Sequence, residues 1–153
     1  MKKKLLITIT LMLALVMTGC GGRKIDLEQI HSIDGTLLEI TRTPQGEMTL
    51  EEFESSIYTI SVSYSGRAFI PNPVFTDGVE MTDEDFKKVY NFCLDAYEKD
   101  KFADYSEDVC DGSTYSFTYY DETGEPHRLY SGYIYSNKEL NDIIDTVARY
   151  SVD

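Results

Sequence analysis

The strongest constraint on the fold is a change of period that occurs twice along the chain. Tyr58, Ile60, Val62 and Tyr64 alternate with Thr59, Ser61 and Ser63, which places one apolar side against a core and one polar side away from it. The same period of two returns at Tyr115, Phe117 and Tyr119 against Ser116 and Thr118. Ser65-Gly66 turns the first run into Arg67 to Ile70, and Asp121-Glu122-Thr123-Gly124 turns the second into Arg128 to Tyr135. A helical period then takes over in both places. Phe86, Val89, Tyr90, Cys93, Leu94 and Tyr97 form one apolar stripe, and Leu140, Ile143, Ile144 and Val147 form the other. Thr82 before Asp83, Glu84 and Asp85 reads as an N-cap with acids at the positive end of the helix dipole. Ser136 followed by Glu139 has capping-box spacing. Residues 57–98 and 114–150 thus both read strand, turn, strand, capped helix, a similarity of layout with few identities. The predicted class is α+β: an antiparallel sheet with helices packed on one face, and the ββα unit as a candidate duplication.

Around these units the signals are shorter. Thr36 to Arg42 reads as a strand with Leu38 and Ile40 on one face, ended by the turn chemistry of Pro44-Gln45-Gly46. Thr49 and Glu52 have capping-box spacing for a helical turn or two from Leu50 to Ser55. Pro71 and Pro73 limit pairing, so the strand before them is expected to lie at an edge or to end there. Residues Ile25 to Ile33 match neither period.

The first twenty residues carry a different message. Lys2, Lys3 and Lys4 precede a largely apolar stretch from Leu5 to Met17, too short for a spanning helix, which needs about 20 apolar residues. This is the layout of a secretory signal. The ending Met17-Thr18-Gly19-Cys20 resembles the lipobox of bacterial lipoproteins, with Met17 where that motif usually has Leu. The resemblance implies a signal peptide over 1–19 and a lipidated Cys20 as the first mature residue. It also implies anchoring at the cell membrane on the extracytoplasmic face. Residues 20–32 would then be the lipidated cysteine and a tether, and 33–153 one α+β domain. Two or more acyl chains hold a protein firmly, at about 0.8 kcal/mol per buried CH₂.

Charge narrows the partners. The chain has 27 acidic and 14 basic residues; the three lysines lost with residues 1–19 leave 11 basic ones and a formal net charge of −16. Such a surface repels nucleic acid, whose binding needs phosphates neutralised by Lys and Arg. With Cys20 committed to lipid, Cys93 and Cys110 remain. Outside the cytoplasm they can pair, or Cys93, on an apolar stripe, can serve as a small buried hydrophobe.

No catalytic set emerges. His31 and His127 stand far apart, and there is no Gly-x-Ser-x-Gly elbow, phosphate loop or His-Glu-x-x-His helix. Asp104, Asp108 and Asp111 do not match a calcium loop with Gly at its sixth and Glu at its twelfth position. No metal or cofactor is called for. Twelve tyrosines without a tryptophan are more suggestive, because Tyr offers a stiff apolar ring with a polar tip. Tyr120, Tyr130, Tyr133 and Tyr135 are the candidate binding patch, suited to a glycan or an envelope protein. The expected function is a lipid-anchored extracytoplasmic binding or accessory domain without catalysis. The alternative is an envelope hydrolase using clustered carboxylates.

Overall fold

The computed structural model describes residues 25–70, 78–108 and 112–150. Six strands form one antiparallel sheet: β1 (Thr36–Pro44), β2 (Tyr58–Ser63), β3 (Arg67–Phe69), β4 (Val79–Glu80), β5 (Ser113–Tyr120) and β6 (Pro126–Tyr133). Their order across the sheet is β4-β3-β2-β1-β5-β6. Among the described residues four helices accompany them: α1 (Leu27–His31), α2 (Leu50–Ser56), α3 (Asp83–Glu98) and α4 (Lys138–Ala148). The class is α+β, as the two period changes predict.

β1 is the axis of the sheet. It pairs with β2 on one side and β5 on the other, so β2-β3-β4-α3 and β5-β6-α4 flank it, the first with a third strand that the expected ββα layout lacks. Directly opposed residues share a face, and two apolar rows result: Val62–Leu38–Tyr119 and Ile60–Ile40–Phe117. All six are buried. Onto these rows come Phe86, Val89, Phe92 and Cys93 of α3 with Leu140, Ile143 and Val147 of α4, also buried. Phe92 lies 5.8 Å from Phe117 between ring centroids. Each large apolar side chain withdrawn from water contributes about 1.5–3 kcal/mol. The helices are tied to each other by Lys88, which pairs with Asp142 at 2.6 Å and donates to Thr146 Oγ1 at 2.9 Å.

Local signals mostly hold. Thr49 and Glu52 form both halves of the capping box at the start of α2, and Thr82 accepts from Asp85 N–H at the start of α3. At α4 the cap lies one residue later than its spacing predicts. Asn137, not Ser136, accepts from the Glu139 and Leu140 N–H groups, because Ser136 is engaged by Glu107. The strand before Pro71 ends at Phe69 but is not the edge, since β4 pairs outside it. Pro71 and Pro73 lie outside the described residues.

Residues 27–32, expected to be tether, belong to the fold. Asp26 caps α1, Ile30 is buried, and the His31 ring meets Phe86 edge-on at 4.7 Å. Ile25, Leu27 and Ile33 also pack against the core, partly buried, and the spacings among these four residues sustain neither a period of two nor a helical one, which is why the segment reads as ambiguous. The stripe on α3 is broader than its spacing suggests: Phe92 and Ala96 are buried, and Tyr97 is half exposed. The chain after α3 folds back and sets Phe102 against Phe92, at 6.0 Å, which covers that extra flank. Cys93 is a free thiol, wholly enclosed, and burial pushes its pKa up. Cys20 and Cys110 lie outside the described residues, and with them the proposed lipidation and the Cys93–Cys110 pairing. Among the described residues no helix is long and apolar enough to cross a membrane.

Candidate functional site

The next cross-strand row beyond Ile60–Ile40–Phe117 marks the margin of the core. It runs Tyr58–Arg42–Tyr115–Gly132 across β2, β1, β5 and β6. Period two puts Arg42 on the same face as Leu38 and Ile40, yet here burial falls away: Tyr58 is exposed, and Arg42 and Tyr115 are half-buried. The Arg42 guanidinium carbon stands 5.7 Å from the Tyr58 ring centroid, a cation–π contact. On its other side is Tyr115. Burial pushes the Tyr115 hydroxyl's pKa up and Tyr58 adds to this, the charge and hydrogen bond of Arg42 oppose it, and the Asp145 carboxylate adds a smaller upward push. Gly132 adds no side chain beside Tyr115.

Arg42 and Tyr115 open onto a half-open pocket of about 250 Å³, lined besides by Gly112, Ser113, Tyr133, Ile134 and Tyr135. Its lining carries one positive charge, three phenol rings and no carboxylate. Among the described residues Arg42 makes no ion pair.

The far wall is held by backbone. Tyr130 donates its hydroxyl to the Tyr133 carbonyl. The Tyr135 N–H donates to Glu107, and its carbonyl accepts from Asn141 Nδ2 at 3.3 Å. Tyr135 itself is 81% exposed. The Glu107 carboxylate also receives the Ser136 and Asn137 N–H groups and the hydroxyls of Ser136 and Tyr105. The Tyr105 bond first, and then the Ser136 and Tyr135 N–H groups and the Ser136 hydroxyl, outweigh desolvation and hold its pKa down to about 2. One carboxylate thus ties the chain after α3 to the segment between β6 and α4, and so sets where Tyr135 stands.

The four tyrosines singled out in the sequence do not form one patch. Tyr133 and Tyr135 line the pocket. Tyr130 is in the core, opposite Phe117 in the β5–β6 ladder and packed against Phe102, Tyr105 and Phe117. A register shift between Phe117 and Thr118 makes Leu129 an extra residue and turns Tyr130 to the core side. Tyr120 lies on the other face of the sheet. Its hydroxyl donates to Glu39 Oε2 at 2.7 Å, and that bond, with burial, pushes its pKa up to about 12. Sequence reading missed Arg42 and Tyr115 as partners of this site. The available signal was an arginine that continues the apolar phase of Leu38 and Ile40.

The histidines stay apart. His127 contacts Asp121 at 3.0 Å, with its ring 4.4 Å from Tyr97, whereas His31 lies against Phe86 and Gly66. The His127 contact, with Thr123 and Glu125 as further donors, depresses the Asp121 pKa strongly. Among the described residues no group of three or more His, Cys, Asp or Glu could hold a metal ion. Compared with known proteins, the chain matches no family model, no curated protein and no solved structure.

Proposed function

We propose that this protein is a lipid-anchored, extracytoplasmic binding domain that takes its ligand in the pocket around Arg42. The observation that carries the binding reading is the grouping of Tyr115, Tyr133 and Tyr135 about an arginine without an ion-pair partner among the described residues, at the margin of a rigid sheet. Stiff aromatic rings on a fixed backbone bind with little loss of conformational freedom. The hydrolase alternative has less support. A general acid needs a carboxyl group whose pKa is raised, whereas every shifted carboxyl among the described residues, Glu52, Asp85, Glu107 and Asp121, is lowered. Anchoring and location rest on the lipobox-like segment ending at Cys20.

The test uses the full chain as bait in a solubilised native envelope, with the Tyr135→Ala chain as control and mass spectrometry as readout. A component enriched by the first and lost with the second is the expected result. Equal recovery by both chains, or intact mass showing an unmodified Cys20, would count against the reading.

A further inference from the structure

We infer that the pocket recognises a sugar ring bearing an acidic group, with Arg42 on the acid and Tyr135 stacked on the ring. This rests on the binding reading above and names its ligand class. Arg42 supplies the first half. A guanidinium is planar, stays charged, and presents five N–H donors in a fork that matches two oxygens of one carboxylate or phosphate. In a chain with 27 acidic residues, several other cations find carboxylates, such as Lys88 with Asp142, Lys101 with Glu139 and Arg149 with Asp85. Arg42 is half-buried, stands between the Tyr58 ring and Tyr115, and meets no carboxylate in the pocket lining, Asp145 acting on Tyr115 from outside it. A partly desolvated cation of this kind gains most from an anion brought by a ligand. The net charge of −13 gives the surface no general attraction for anions, so recognition must come from direct contact at this point.

The second half is the shape and chemistry of the rest of the pocket. About 250 Å³ is below the roughly 300–1,000 Å³ usual for drug-sized ligands and suits one ring with the remainder in solvent. Tyr133 and Tyr135 offer apolar ring faces edged with hydroxyls, and Ser113 adds another hydroxyl beside them. A sugar has the matching arrangement of an apolar C–H face and a hydroxyl rim. Glu107 and Asn141 hold the Tyr135 backbone at the pocket rim, which leaves only side-chain rotation to be ordered when its exposed ring meets a ligand.

The test is calorimetric titration of the full chain, in a neutral detergent, with short uronic acid oligomers, neutral glucose oligomers of equal length, and a sugar phosphate. The acidic sugars should bind, with the neutral oligomer weaker by about tenfold or more. Arg42→Gln should weaken the acidic ligand by a similar factor. Arg42→Lys, which keeps charge without the fork, should recover only part of the loss. The uronate and phosphate arms show which acid is preferred. Equal affinity for neutral and acidic oligomers, no heat with either acid, or unchanged uronate binding by Arg42→Gln would overturn the inference. The wild-type comparison of acidic with neutral sugar decides it even if a variant fails to fold. An envelope component lost with Tyr135→Ala, in a chain that ignores acidic sugars, would overturn this inference and leave the binding domain standing.

Discussion

At the scale of single residues, Glu107 is the most consequential side chain outside the core. Its two oxygens collect three backbone N–H groups and two hydroxyls from separate parts of the chain. The carboxylate form is what these donors bind, so its folded pKa falls from 4.5 to about 2. A depressed carboxyl stabilises the fold fully above its unfolded pKa, and this is lost as pH falls through the folded one. The window is therefore pH 4.5 down to about 2. Wild type should lose thermal stability steeply there, while Glu107→Gln, already weaker at neutral pH, should show a flatter curve over the same window. Melts followed by circular dichroism at stepped pH would show it. Nothing near position 107 in sequence hints at this role, because its partners are Tyr105 on one side and residues 135–137 on the other. Gly66 is a second residue fixed from a distance. Its φ of +80° suits glycine, and an added Cβ would come within 3.1 Å of the His31 ring.

At the scale of elements, the two units differ in how firmly they are held. α3 has six buried residues, whereas α2 has none and depends on its capping box and on Phe53, which is half-buried. Local opening costs least where few apolar contacts must break. Amide hydrogen exchange should therefore be fast throughout residues 50–56 and slow along the middle of α3; equal protection of the two helices would contradict this. The long elements were legible because alternation and helical spacing each extend over many residues, as at Tyr58 to Tyr64 and Phe86 to Tyr97. The bulges were not. Leu37 and Leu38 are both buried because the β1–β2 register shifts between Thr36 and Leu38, and the shift after Phe117 turns Tyr130 inward. A single extra residue changes which face a side chain joins, and one residue leaves no periodic trace. The site suffered for the same reason: of the four tyrosines expected together, only Tyr133 and Tyr135 meet.

At the scale of the whole molecule, charge is the strongest influence beyond the core. With 27 acidic and 14 basic residues the folded chain repels itself, and the ion pairs that oppose this lie mostly at exposed positions, each worth about 0–1 kcal/mol. Salt shortens the reach of the repulsion, from about 30 Å at 0.01 M to about 10 Å at 0.1 M. The melting temperature should accordingly rise across that range, and calorimetry showing a fall would mean the ion pairs outweigh the repulsion. The sequence alone determined the α+β class, the apolar faces, two of the helix caps and the acidity, because each is set by neighbours within a few residues. Only the tertiary structure decided which strands stand side by side. It is this order, with β1 between β2 and β5, that sets Arg42 between Tyr58 and Tyr115 and opens a pocket beside them. Lateral register depends on the combined packing of rows far apart in the chain, and no short stretch of residues carries it.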